Sequence, residues 1–334
     1  MRYFEGISTD SSFNLAMEQY VFDSMPRSES YFLLWQNAPS VIIGKYQNAY
    51  EEVSQTYVTE HGIPVIRRLS GGGAVYHDLG NINYTFITDG TLGEELSFAV
   101  FCEPLIRTLG QLGIRAETGG RNDVTIDGMK ISGTAQYCRK GRIMHHGTIL
   151  FDSDLSVMPR VLTPPAAKVT SKGVKSVKSR VTNIADHLSV PMTAETFRDA
   201  FRGEVFRGEA LRGREAERGT FSDEDLRAIG EIRGGRYGTW EWNWGKSPEA
   251  AIVKERYIEG VGRVTAHLGV SEGRISEISF SGDFFGDGPS EELLGRLAGC
   301  AFEKTALTDA LSGIRVGACF FGLSADELVR LLLS

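Results

Sequence analysis

No apolar run in this chain approaches the roughly 18 to 20 residues that a membrane-spanning helix needs, so no membrane association is expected. The first residues, Met1-Arg2-Tyr3-Phe4-Glu5-Gly6, lack the apolar core of a secretory signal. Cysteine is scarce. The four present are scattered, no Cys-x-x-Cys pair occurs, and neither a zinc site nor a disulfide framework is indicated. Positive charge is in deficit, with 36 Lys and Arg against 43 Asp and Glu and a formal net charge of −7. That balance argues against nucleic-acid binding, which usually needs a basic face. Internal repeats and extended low-complexity segments are also missing. A cytoplasmic protein, monomeric by default, is the expectation.

What is present is the composition of a soluble globular protein, 41% hydrophobic and 24% charged. A length of 334 residues exceeds one ordinary core and suggests a large domain followed by a small one. Glycine is where the sequence becomes specific, in Arg67-Arg68-Leu69-Ser70-Gly71-Gly72-Gly73-Ala74-Val75-Tyr76-His77-Asp78-Leu79-Gly80-Asn81. Three glycines leave main-chain N–H groups unscreened, able to close around an anion. No Lys-Ser/Thr follows, so this is not a P-loop. Glycines alone are more often a flexible turn; the flanking arginines and the His-Asp pair distinguish this stretch.

Three further blocks follow in order. Asn122-Asp123 precedes Gly128-Met129-Lys130-Ile131-Ser132-Gly133-Thr134-Ala135-Gln136 and His145-His146-Gly147-Thr148-Ile149-Leu150. Next come Gly173-Val174-Lys175-Ser176-Val177-Lys178-Ser179-Arg180-Val181-Thr182-Asn183-Ile184 and Thr239-Trp240-Glu241-Trp242-Asn243-Trp244-Gly245-Lys246-Ser247-Pro248. Taken together these blocks resemble the lipoate–protein ligases, the lipoyltransferase and ligase A family of the biotin/lipoate ligase superfamily. The resemblance covers nearly the whole chain. It departs at Leu69, where many relatives carry a small polar residue, and between Arg202 and Gly219, which match little.

The periodicities predict local structure. Asp10 to Met25 reads as a helix capped by Ser11 or Ser12. Tyr31–Trp35, Val41–Ile43, Ile63–Arg68 and Asn81–Thr88 read as strands, the last with Ile82, Tyr84 and Phe86 opposite Asn83 and Thr85. Glu94–Leu112 reads as a buried helix. Thr125–Gln136 reads as a hairpin turning at Asp127-Gly128. On its second strand, alternation puts Lys130, Ser132 and Thr134 on one face. Arg142–Asp152 alternates, with His145 opposite His146. Thr193–Phe206 looks helical, and Arg202 to Arg218 looks like a solvated helix or connector. Tyr257–Leu268 and Arg274–Ser281 suggest a meander, with helices at Ser290–Cys300 and Ser324–Leu333. The fold class is α+β, with a mixed or largely antiparallel sheet flanked by helices. The resemblance implies a catalytic domain of the biotin/lipoate ligase type over residues 1–245 and a small α+β accessory domain over 246–334.

It also implies chemistry. Free lipoate or octanoate would be activated by ATP with Mg2+ to an acyl-adenylate. The acyl group would then pass to a lysine of a lipoyl domain, as in 2-oxoacid dehydrogenase E2 subunits or the glycine cleavage H protein. Charge developing where carboxylate meets α-phosphate needs fixed cations and N–H dipoles. The resemblance puts Lys130 at that point, and Arg68, Gly73, Ala74, Val75 and Tyr76 with it around ATP. The lipoate-site candidates are Lys130, Arg68, Gly71, Gly72, His77, Asn83, Ser132 and His146; His77 and His146 are otherwise packed structural residues, and Asn83 binds a carboxylate or phosphate or else satisfies buried backbone. Asp78 is placed to orient His77. Asp123 is the candidate magnesium contact, or else a turn residue before the hairpin. Leu15, Trp35 and Val75 are wall candidates for the acyl tail. Lys168, Lys172, Lys175, Lys178 and Arg180, without an intervening acid, read as a solvated face or as the family's mobile adenylate-facing loop. Three alternatives stay open. An acyltransferase without ATP would use Cys102 or Cys138 as nucleophile. A biotin ligase would need an arginine–glycine-rich loop that is not apparent. A non-catalytic lipoate-binding protein would have no use for Lys130.

Overall fold

A computed structural model describes residues 1–47, 49–89, 98–119, 122–162, 181–213, 215–244, 246, 252–271, 274–302 and 304–333. The basic segment from Lys168 to Arg180, the first residues of the expected Glu94 helix, and Gly245 lie outside them. Among the described residues, fourteen strands run in chain order: β1 (Arg2–Glu5), β2 (Tyr31–Trp35), β3 (Ser40–Ile43), β4 (Val65–Arg67), β5 (Val75–His77), β6 (Asn81–Asp89), β7 (Glu117–Gly119), β8 (Asp123–Ile126), β9 (Met129–Arg139), β10 (Arg142–Leu150), β11 (Glu217–Arg218), β12 (Ile252–Ile258), β13 (Gly262–Ser271) and β14 (Arg274–Gly282). Eight form one mixed sheet, ordered β11-β1-β2-β6-β10-β9-β8-β7, with only the β11–β1 and β1–β2 pairs parallel. A second sheet, β4-β3-β5, carries the glycine loop between β4 and β5, and a third, β12-β13-β14, belongs to the C-terminal part. The α+β class holds.

Both faces of the large sheet are covered. Helices Phe98–Gln111 and Ala194–Leu211 bury one face with Phe101, Leu105, Phe197 and Phe201 against Ile82, Tyr84 and Phe86. Helix Ser11–Ser24, backed by helix Asp223–Ile232, covers part of the other with Leu15, Met17 and Val21. The first of these is capped by Asp10, whose carboxylate accepts from the amides of Ser12 and Phe13, rather than by a serine. A carboxylate there also meets the positive end of the helix dipole. Asp223–Ile232 was not anticipated, although Ser222 and Asp225 form a capping box that signals it.

Two other expectations change. Arg202–Leu211 is helical, one of the two forms expected, but it continues the preceding helix and puts Val205 in the core, and Glu217–Arg218 pairs with β1 as an edge strand. The single strand expected over Tyr257–Leu268 is two, because Gly260 and Gly262 at φ of +80° and +112° turn the chain back. With helices Glu291–Leu297, Lys304–Ala310 and Ala325–Leu333, the third sheet encloses its own core around Val264, Phe280, Leu307 and Leu328.

Tyr46, from the loop after β3, enters that core. Its ring stacks on Phe284 at 4.8 Å, and its hydroxyl donates to the Asp287 carbonyl at 2.6 Å. Nearby, Glu52 and Arg263 form a buried ion pair across the same seam.

Candidate active site

A cavity of about 740 Å³ opens above one face of the large sheet. Strand register fixes its floor. Trp35 faces Asn83 across β2 and β6, Asn83 faces Thr148 on β10, and His146 faces Ala135 on β9. Directly paired residues share a face, so the polar side of β6 that alternation predicts becomes the floor of the cavity. The walls come from Leu15, Ile42, the glycine loop and, across the seam, Tyr257, Glu259, Asp283 and Phe285. The expected wall residues Leu15, Trp35 and Val75 all line it.

Lys130 and Asp123 sit at its edge, with Nζ 2.7 Å from Oδ1 and both side chains partly exposed. The hairpin turns where expected, through Asp127 and Gly128 at φ of +50° and +75°. Its register then slips: Val124 faces Ser132 but Thr125 faces Lys130, so Ile131 is an additional residue on β9. The bulge corrects the simple alternation. Lys130 lies on the cavity face, where a Cβ on Gly133 would fall 2.6 Å from its Nζ. Ser132 is fully buried on the opposite face beside the phenol of Tyr84 and does not line the cavity. Val181 pairs with Lys130, so the chain returning from the undescribed segment docks beside this lysine.

The two loop arginines are buried and hold the chain's own carbonyls. Arg68 donates from Nε to Ser70 Oγ at 3.0 Å and from Nη2 to the carbonyls of Gly71 and Gly73 at 2.6 and 2.9 Å. Burial pulls its pKa down to about 10, so it stays charged at neutral pH. Arg68 also lines the cavity, as do Gly72, Gly73, Ala74, Val75, Tyr76, His77, Asn83 and His146. Gly71 is not on the wall; a Cβ there would meet the Phe284 carbonyl at 2.2 Å. Arg67 binds the Gln47 and Asn243 carbonyls at 2.6 and 3.0 Å, tying the loop after β3 to the segment before the C-terminal part. Gly72, at φ +91°, gives its amide to the Phe284 carbonyl at 3.2 Å.

The two cavity histidines have different partners. His146 Nδ1 is 2.8 Å from Glu18 Oε1, and its Nε2 is 2.6 Å from Ser70 Oγ. Glu18 also accepts from Thr85 at 2.6 Å, and Thr85 from the Trp35 indole at 3.1 Å. This is the order of a nucleophile, base and acid, but Ser70 is buried and does not line the cavity. The chain braces the floor against the glycine loop. His77 is not oriented by Asp78, whose carboxylate accepts from the amides of Gly80 and Asp154. Its Nδ1 faces the Asn37 amide at 3.0 Å, and burial, with Arg68 nearby, lowers its pKa to about 3.

Sequence reasoning did not find Glu18, Asn37 or Phe285 as parts of the site. Glu18 reads as one polar residue in a helix, and Phe285 arrives from a distant part of the chain. Burial raises the thiols of Cys102 and Cys138 to about 11 and 12, and neither lines the cavity. An activated thiolate needs the opposite environment.

Residues 10–206 match the lipoyl protein ligase A/B catalytic domain, and residues 247–332 match the bacterial lipoate protein ligase C-terminus. The chain is 41% identical over 323 residues to the lipoate–protein ligase LplJ of Bacillus subtilis, covering 97% of each. A crystal structure of lipoate–protein ligase A bound with ATP superposes with a TM-score of 0.63 at 27% identity, over 74% of this chain and all of that one. A bi-partite lipoate protein ligase from Thermoplasma acidophilum, studied with its E2 lipoyl domain, gives a TM-score of 0.65 at 30% identity, over 75% of this chain and 98% of that one. With both family matches in sequence order and a relative similar from end to end, the chain belongs to the lipoate–protein ligase family.

Proposed function

We propose that this protein uses ATP to convert free lipoate or octanoate into an acyl-adenylate and then transfers the acyl group to a lysine of a lipoyl-domain protein. The observation that carries the reading is the Lys130–Asp123 pair at the edge of a cavity walled by the glycine loop. In the first step a carboxylate oxygen attacks the α-phosphorus and pyrophosphate leaves. Two anions must approach, and the Lys130 ammonium is the mobile cation that would exchange Asp123 for their oxygens. Arg68 acts differently, by holding the loop carbonyls and adding fixed positive charge behind them. Leu15, Trp35, Ile42 and Val75 on the cavity wall would accommodate the apolar acyl tail. In the second step the acceptor amine attacks the acyl carbonyl and AMP departs; no enzyme thiol is needed.

Among the described residues no group of three His, Cys, Asp or Glu could hold a metal by itself. That suits a magnesium ion arriving with ATP, which keeps phosphate and water ligands and takes one or two carboxylates. Asp123, the wall carboxylate beside Lys130, would hold it, and the ion would neutralise the departing pyrophosphate. We assign residues 1–245 to catalysis and 246–334 to an accessory domain that closes the cavity through Phe285. The acceptors would be E2 subunits and glycine cleavage H protein. Lipoate-dependent pyrophosphate release, followed by transfer to a purified lipoyl domain, tests the reading. Transfer without ATP would overturn it.

A further inference from the structure

Asn14 and Asn37 are fully buried and uncharged, and neither lines the cavity. Their amides nevertheless have a defined direction. Asn14 Nδ2 lies 2.9 Å from the main-chain carbonyls of Ser8 and Gln36. Carbonyls only accept, so this end is the NH2. The same nitrogen, its two protons shared among three oxygens, is 2.9 Å from Asn37 Oδ1; the reverse orientation would set NH2 against NH2, so the Asn37 NH2 faces His77 Nδ1 at 3.0 Å. An amide NH2 only donates, so Nδ1 is the bare nitrogen and the neutral ring carries its proton on Nε2.

That Nε2 is shielded from solvent and has no partner among the described residues, while His77 lines the cavity. Asn83 is a second buried amide on the cavity. Asn81 donates to its Oδ1 at 3.0 Å, and Asn83 Nδ2 is buried without a partner among the described residues, on a residue that lines the same cavity. Buried donors without acceptors are costly and usually await one. His146 has the opposite arrangement, because its Nδ1 meets the Glu18 carboxylate.

We infer that Asn14 and Asn37 are positioning residues that fix His77 as its Nε2–H tautomer, so that His77 and Asn83 offer two neutral donors to a carboxylate or phosphate oxygen of the bound acyl-adenylate. Neutral donors suit this place. They hold a negative oxygen without competing with Lys130 for charge, and the apolar acyl tail carries no oxygen to accept them. The inference rests on the adenylation reading for its ligand, but the amide chain exists without one.

The test uses full-length protein labelled with 15N-histidine. Long-range 1H–15N spectra should show His77 neutral with its proton on Nε2, unchanged between about pH 5.5 and 8. Asn37→Asp presents an acceptor to Nδ1 and should move a proton there, with a fall of about tenfold or more in kcat/KM for pyrophosphate release. His77→Gln, whose NH2 can stand in for Nε2–H, should stay within about tenfold of the parent, and His77→Glu should fall well below it. A wild-type spectrum with the proton on Nδ1 overturns the relay. Equal activity of the Gln and Glu variants overturns the donor role. Failure of the wild type to release pyrophosphate would instead sink the adenylation reading and leave the spectral result standing.

Discussion

His146 and Glu18 lie 128 residues apart in the chain, yet their Nδ1 and Oε1 atoms are 2.8 Å apart beneath the cavity. Glu18 is 2% exposed, so the carboxylate depends on His146 and Thr85 for its hydrogen bonds. Removing Glu18 leaves the His146 and Thr85 donors buried without their acceptor, at about 1–3 kcal/mol. Glu18→Ala should therefore lower unfolding stability by that amount in urea titrations. Glu18→Gln keeps an acceptor in place and should lose much less. Equal losses would show that the retained amide oxygen does not replace the carboxylate, so that the charge itself carries the effect.

Lys130→Ala should keep its fold, since the side chain is partly exposed and leaves only Asp123 unpaired. Lipoyl-AMP formation should drop about a hundredfold or more, the usual loss when one donor to developing charge is removed. Near-normal adenylate formation by the folded variant contradicts the assignment.

Gly72→Val should impair binding of ATP and lipoate, measured by calorimetry. The residue has φ +91°, and a Cβ there would fall 2.8 Å from Arg68 Nη2. The backbone strain should also cost about 1–3 kcal/mol of stability. Normal binding of both ligands would mean that the loop is not their cradle.

The cysteines should be dispensable. Cys102→Ala and Cys138→Ala, singly or together, should keep ATP-dependent lipoylation within about tenfold, roughly 1.4 kcal/mol in the barrier. An acyl-enzyme in mass spectra, lost with either thiol, would restore the transferase reading.

Acid should destabilise the fold through His77. Its pKa is about 3 when folded against the usual 6.5, so between those values the unfolded chain binds the extra proton. Stability is full above 6.5 and declines as pH falls below it, by about 2 kcal/mol from this group between pH 7 and 5. His145, also lowered by burial, acts in the same direction. Denaturant titrations should show a smaller loss at pH 5 for His77→Gln than for the parent. An identical loss would mean that His77 does not titrate as its burial requires.

Features encoded by neighbouring residues were legible in the sequence. Asp127-Gly128 specified its turn, and the alternation of Ile82, Asn83, Tyr84 and Thr85 separated core from cavity floor. Long-range geometry was not. The bulge at Ile131 depends on how β8 pairs with β9, and it turns Ser132 away from Lys130. Two arginines beside glycines suggested anion binding, but their carbonyl partners come from Gln47, Asn243 and the loop itself. Glu18, Asn37 and Phe285 enter the site only through packing, and no local pattern marks them.

The Gly72 amide has one proton, and the Phe284 carbonyl holds it. A phosphate oxygen seated at that nitrogen would have to displace the carbonyl, which would make nucleotide and accessory domain rivals for a single donor. Linkage makes the rivalry symmetric: whatever factor the docked domain takes from ligand affinity, the ligand takes from docking. Substitutions far from the cavity that only tighten the Tyr46 seam would then appear as weaker nucleotide binding, with every residue that touches the nucleotide unchanged.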